Sequence, residues 1–353
     1  MSDSSYFEKV MDYKPHPDFS RLEKVLKKEN PGESVLFEFF LNERIYSRLS
    51  GEKLSGLACD SVEYSAVMIK AFEKAGYDYA TVRLPCFCFP AGERHTEESI
   101  SLNEGALITD RPSFNAYAWP EPEKNAADKL EKMAADKLPD KMRMIVCGPG
   151  GVLENVIRLV GYDNLCMMLY DDPELVQDIF DAIGSRLVRY YGLAAPLKHT
   201  GACISNDDWG FKTQSMLPPD AMRKYVFPWH KKIVETIHDA GKYAILHSCG
   251  NASEIWEDII EVIKYDGKHS YEDAISPVEK EYEKFAGRIG VMGGLDVHFV
   301  ATSEPDVIYR RALEMLKRAS EKGSYALGTG NSVPEFVPDE NFAAMIWAAL
   351  ETR

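Results

Sequence analysis

A histidine and a cysteine two residues apart, His247 and Cys249, end the short apolar run Tyr243-Ala244-Ile245-Leu246. On extended backbone, residues two apart point to the same side. The imidazole and the thiol therefore stand together, and such a pair suits a borderline-soft cation such as Zn²⁺. The alternative is a buried histidine and a buried cysteine that merely lie close, since two ligands do not make a site.

The elements that position this pair are strands and helices in regular alternation. Eight strands are expected, at Ser34–Leu41, Tyr77–Leu84, Arg143–Cys147, Thr200–Ser205, Tyr243–His247, Gly267–Tyr271, Ile289–Leu295 and Tyr325–Gly328. A helical pattern follows each. Alternation of this kind implies parallel pairing with right-handed crossovers. Eight units at this length predict a (β/α)₈ TIM barrel as one domain over 35–353, with a doubly wound open sheet as the alternative. Residues 1–34 form an N-terminal helical extension, helical near Pro17–Lys28. The stretch 86–119 is too long for a bare connection and is expected to cover the site. Its Phe87, Phe89, Phe114, Tyr117 and Trp119 are expected to wall a pocket, and Cys86 and Cys88 to be buried structural cysteines.

In a barrel the residues just past the strand ends share one mouth. These are Asn42 and Glu43, Cys147, Asn206 and Asp207, His247 and Cys249, His269 and Glu272, Asp296 and His298, and Asn331. Acids, histidines and a thiol gathered this way suit metal or proton chemistry. Taken singly, Asp207 and Asn331 could each simply cap a helix, and Asp296 could bond nearby amides. The turn Gly148-Pro149-Gly150-Gly151 lacks both the dinucleotide and the phosphate-loop patterns. It reads as a tight turn that lets substrate approach the backbone.

The 353 residues carry a formal net charge of −15, which disfavours nucleic acid and anionic membrane surfaces as partners. The seven cysteines are odd in number and scattered, unlike a secreted disulfide scaffold. Met1–Lys14 has no apolar core of a signal peptide, and no apolar run reaches the length of a membrane span. A cytoplasmic protein is expected.

From about residue 140 onward the chain resembles the uroporphyrinogen decarboxylase superfamily. The resemblance rests on Gly148-Pro149, Leu159-Val160-Gly161-Tyr162-Asp163-Asn164, Asp171-Asp172-Pro173-Glu174-Leu175-Val176, Asp207-Asp208-Trp209-Gly210 and Leu217-Pro218-Pro219-Asp220. It continues through Leu246-His247-Ser248-Cys249-Gly250-Asn251, Met292-Gly293-Gly294-Leu295-Asp296, Gly330-Asn331 and Pro338-Asp339-Glu340-Asn341. The resemblance implies a (β/α)₈ barrel. The arginine-rich signature of true decarboxylases is missing, since Asn42-Glu43-Arg44-Ile45-Tyr46 stands near its place. His247-Ser248-Cys249 instead resembles the zinc motif of the cobalamin-dependent methyltransferase branch. That motif implies a further cysteine where this chain has Asn331.

By resemblance, then, the chain is expected to be a zinc-dependent methyltransferase of corrinoid-linked one-carbon metabolism. His247 and Cys249 would hold the metal, and a corrinoid on a separate small protein would exchange the methyl group with a small-molecule donor or acceptor. Glu43, Asp207, His269, Glu272, Asp296 or His298 would supply a further ligand. Asp207 and Glu272 are the catalytic candidates; Glu43, Asn206, Asp296 and Asn331 the substrate-binding ones. A decarboxylase-like lyase acting on a porphyrinogen or a smaller acid is the alternative. It would draw on Arg44, Arg83 and Arg94. A non-catalytic binding protein of the same fold is a third reading.

Overall fold

The structure is a computed structural model that describes residues 5–59, 61–92 and 101–353. Seven strands form one parallel sheet in strict chain order: β1 (Tyr79–Arg83), β2 (Arg143–Cys147), β3 (Thr200–Asn206), β4 (Tyr243–His247), β5 (Gly267–His269), β6 (Gly290–Met292) and β7 (Tyr325–Ala326). Helices return the chain between strands and bury one face each. The helix Pro173–Ala194 turns Leu175, Val176, Ile179, Phe180, Ile183, Leu187 and Tyr190 inward, the three-and-four spacing of a single helical face. Sequential parallel order is the (β/α)-barrel pattern, here a curled sheet whose ladder is not closed.

The opening lies where the first strand was expected. Ser34–Leu41 meets β7 in a single parallel bridge, Leu36 to Leu327. On its other side the Tyr79 hydroxyl takes the place of a neighbouring backbone. It accepts from the Glu38 N–H at 2.5 Å and donates to the Glu38 carbonyl at 2.6 Å. A phenol wedged there satisfies both backbone groups of Glu38 and holds the two chains too far apart for a ladder. The expected eight strands thus become seven strands and one bridged segment.

The extension closes the opposite end. Its helix Ser20–Leu26 buries Leu22, Val25 and Leu26. Two strand-start glycines let it approach. A Cβ on Gly201 would fall 2.4 Å from the Phe19 ring, and one on Gly267 2.9 Å from Leu26. The motif Asp339-Glu340-Asn341 ties other elements to the last helix. Asp339 pairs with Arg44 and Arg48, Glu340 accepts from the Tyr6 and Phe7 N–H groups, and Asn341 bonds the carbonyls of Val300 and Ser303.

The 86–119 stretch departs from expectation in two ways. Cys86 and Cys88 are exposed, because Phe87 and Phe89 take the buried positions between and beside them. The aromatics pack outward against the helix Pro173–Ala194, with Phe87 stacked on Tyr190 at 5.7 Å and Arg186 over Trp119 at 5.0 Å. The described residue of this stretch that lines a mouth cavity is Leu102. Among the described residues no helix is long and apolar enough to cross a membrane.

Candidate metal centre at the barrel mouth

The backbone stays extended past the ends of β3 and β4. The Asp207 N–H bonds the His247 carbonyl at 2.9 Å, and the Ser248 N–H bonds the His269 carbonyl at 2.7 Å. The two-residue alternation therefore continues. Asn206 and Asp208 face the interior with His247, Cys249 and His269, whereas Asp207 faces the helix layer.

Asp208, His247 and Cys249 bring one donor atom each to within 4.8 Å of one another. His247 Nε2 lies 3.7 Å from Cys249 Sγ. Zinc–nitrogen and zinc–sulfur bonds imply a tetrahedral edge of roughly 3.5 Å, so this edge is nearly of the right length. Asp208 Oδ1 accepts the Cys249 N–H at 2.8 Å, and the Asn331 amide nitrogen lies 3.2 Å from Cys249 Sγ. Where the resemblance implied a cysteine ligand, Asn331 offers a donor to the sulfur. Burial, then the Asp208 charge, pushes the Cys249 thiol up, so it keeps its proton unless a cation arrives.

The hydrogen bonds assign the His247 tautomer. His269 Nε2 lies 2.9 Å from the Thr329 carbonyl, which can only accept, so that nitrogen carries the proton. Burial lowers the His269 pKa to about 3, leaving the ring neutral and its Nδ1 a lone pair. His247 Nδ1 lies 2.8 Å from that lone pair and must donate to it. The remaining nitrogen, His247 Nε2, then turns its lone pair toward Cys249. Burial and the neighbouring His269 also lower the His247 pKa, favouring the neutral form that binds metals. Phe39, stacked on His247 at 4.2 Å, fixes the ring plane.

The same accounting reaches Glu38, a carboxyl with no exposure. The Thr329 hydroxyl sits against both the Asn331 carbonyl and Glu38 Oε1, the latter at 2.5 Å. One hydroxyl has one proton, and a carbonyl cannot donate. Thr329 therefore donates to Asn331, and Glu38 donates to Thr329. A protonated Glu38 agrees with burial raising its pKa to about 8.

The other expected residues take different places. Asp207 is fully buried. Its oxygens accept from the Leu153 N–H at 2.9 Å, the Glu154 N–H at 2.8 Å and His230 Nε2 at 2.7 Å. It caps the helix Val152–Val160 from another element. Gly151 permits this, because a Cβ there would fall 2.1 Å from the Asp207 side chain. Asp296 joins two loops, accepting from the Phe299 N–H at 3.0 Å and the Asp273 N–H at 2.9 Å. Glu272 accepts the Gly250 N–H at 3.3 Å and, with Asp296 and Asn331, lines a cavity of about 670 Å³. His298 is exposed on the helix Val297–Thr302. Glu43 is exposed in the first turn of the helix Glu43–Ser50, and neither residue joins the cluster.

Asn206 links Cys147 Sγ at 3.3 Å to Glu154 Oε2 at 3.3 Å. Sequence reasoning missed Glu154. It lines a second cavity of about 400 Å³ together with Asp208. Burial, then the charges of Asp207 and Asp208, raises its pKa, so it tends to hold a proton. Its signal in the sequence was slight: an acid in the first turn of the helix after the third expected strand.

A search of curated proteins gives no match. A methyltransferase from Methanosarcina mazei has a similar structure, with a TM-score of 0.74 and 17% identity over 94% of this chain and 98% of that one. The intracellular xylanase of Thermoanaerobacterium saccharolyticum gives 0.44 at 12% identity, over 96% of this chain and 99% of its own. Xylanase B from Clostridium stercorarium F9 gives 0.38 at 13%, over 64% and 83%. The first likeness is one of fold, and the two xylanases are too distant to carry an argument. The family model for uroporphyrinogen decarboxylase (URO-D) matches residues 125–352. With well over half of its length matched, and the strand-end residues of that region gathered at one mouth, the chain belongs to the uroporphyrinogen decarboxylase family.

Proposed function

We propose that the chain is a zinc-dependent methyltransferase, moving a methyl group between a small substrate and a corrinoid carried by a separate protein. The observation that carries this reading is the cluster of Asp208, His247 and Cys249, with the His247 Nε2 lone pair directed toward Cys249. Nitrogen, sulfur and carboxylate oxygen are the donors zinc takes. The similar fold of the Methanosarcina mazei methyltransferase supports the same reading.

His247, Cys249 and Asp208 would hold the ion, which supplies Lewis acidity to a heteroatom of the substrate. The chain's own groups do the rest. His269 holds His247 in the ligating tautomer. Asn331 donates toward the sulfur and so favours the thiolate over the thiol. Glu154, protonated beside the cavity that Asp208 lines, can deliver a proton to a heteroatom that loses its methyl group. Glu272 and Asn331 line the other cavity and position what lies there. Phe211 and Phe336 leave apolar surface at the mouth, which suits a visiting protein.

The test is metal analysis of protein purified without a histidine tag. Near-stoichiometric zinc, lost in His247→Ala and in Cys249→Ala, is the expected result. Protein that never takes up zinc from non-chelating buffer would sink the proposal. Methyl transfer to free cob(I)alamin from candidate methylated substrates then reads the activity.

One observation favours a carboxy-lyase as the second reading: Arg83 stands on the interior face, where it could hold a carboxylate. The other arginines this reading draws on do not help. Arg44 pairs with Asp339 at 2.9 Å, and Arg94 falls outside the described residues. Conversion of uroporphyrinogen to coproporphyrinogen by the pure protein would establish the lyase.

A further inference from the structure

Arg83 ends β1 on the interior face. Its register partner is Cys147, whose sulfur meets Asn206, and Asn206 is the register partner of His247. The guanidinium lies over the Phe40 ring at 4.6 Å. Phe40 packs on Phe39 at 4.4 Å, and Phe39 stacks on His247 at 4.2 Å. A cation and the candidate metal-binding imidazole thus stand at the two ends of one row of rings.

Arg83 differs from the arginines that the structure ties to acids. Arg21, Arg44, Arg288 and Arg311 each pair with carboxylates. Among the described residues no carboxylate pairs with Arg83, and its Nε is buried without any hydrogen-bond partner. Its neighbours are the Cys147 thiol, pushed up to about 12 by burial and so neutral, and the Tyr190 phenol. Two residues back on the same strand face, the buried Thr81 hydroxyl also lacks a partner. Holding a half-buried guanidinium with no carboxylate beside it among the described residues is costly. It is retained where a ligand's charge completes it.

We propose that Arg83 is the carboxylate-recognition residue of the substrate site, and that the small substrate is a monocarboxylate with a flat apolar body. A planar guanidinium matches a planar carboxylate through paired hydrogen bonds. A single guanidinium neutralises one charge. The far wall carries Asp208 and Glu272, which repel a second. Phe40 and Phe39 offer flat apolar contact to the body of the molecule, and its far end then meets His247 and Cys249. The assignment rests on the methyl-transfer reading and narrows its substrate class.

The test titrates the full-length, tag-free protein with benzoate, benzamide and inorganic phosphate by calorimetry, with zinc content measured on the same preparations. Benzoate is expected to bind about tenfold or more tightly than benzamide, the value of a hydrogen bond to a charged group. Phosphate should not displace it. Arg83→Gln should lose that preference for benzoate while leaving the weak binding of benzamide unchanged. The proposal is overturned if benzoate fails to bind, if benzamide equals it, if phosphate displaces it, or if Arg83→Gln keeps the preference. The benzoate–benzamide comparison uses the unaltered chain, so it holds even if the variant misfolds. Zinc-free protein that still prefers benzoate would keep the role of Arg83 and remove the methyl-transfer reading; zinc-loaded protein without the preference would do the reverse.

Discussion

The two walls of the mouth are built by opposite means. On the wall of β3, β4 and β5, polar groups are tied to one another. His269 is fixed by Thr329 and fixes His247, Asp208 accepts from Cys249, and Asp207 accepts three hydrogen bonds behind them. On β1, Thr81 and Arg83 keep buried polar atoms without partners. A saturated wall holds ligand atoms in one geometry and resists change. An unsaturated wall leaves its hydrogen-bonding capacity for whatever enters. Rigidity and recognition are thereby divided between the two sides of one opening.

The largest test of this division compares the adjacent acids Asp207 and Asp208. Asp207→Ala strands buried donors and should cost about 3–5 kcal/mol of folding stability. Asp208→Ala, at the mouth, should cost about 1 kcal/mol or less and lower zinc binding instead. Urea unfolding with zinc titration reads both, and equal stability losses would break the contrast.

A smaller effect is expected at His269. His269→Ala should weaken zinc binding roughly 10- to 100-fold, the usual cost of losing a partner that orients a ligand. Competition against a chromophoric chelator measures it. Unchanged affinity would mean that His247 needs no tautomer set for it.

A further effect, read in pH dependence, belongs to Glu38, at the seam between the walls. Its folded pKa, about 8, lies above the ordinary value of 4.5. Its contribution is therefore fully present below pH 4.5 and is lost as pH rises through about 8. Glu38→Gln keeps a donor to Thr329 and should remove this pH-dependent loss. Urea midpoints against pH test it, and an unchanged slope would refute the protonated carboxyl. His269 has the opposite sign: its contribution is present above pH 6.5 and fades as pH falls through about 3.

Much of the arrangement was legible beforehand. The order of strands and helices and the shared side of His247 and Cys249 follow from alternation alone. Asp207 was named because β3 was taken to stop at Ser205, whereas β3 runs on to Asn206. Carried past Asn206, the same two-residue period turns Asp208 inward. Other features had no local signal. The contact between His247 and His269 depends on the register of two neighbouring strands. That no carboxylate among the described residues pairs with Arg83 depends on what β2 and its neighbours place beside it. The missing first ladder turns on one phenol, Tyr79, reaching a backbone 41 residues away.

The sealed floor has a consequence for turnover. With Leu22, Val25 and Leu26 plugging one end of the barrel, the interior opens toward the mouth. On the proposed methyl-transfer reading, a small molecule must already lie at the His247–Cys249 corner when a large visitor covers the same opening. On that reading kinetics should be ordered, with the small molecule bound before the large partner arrives and its product released after the partner departs.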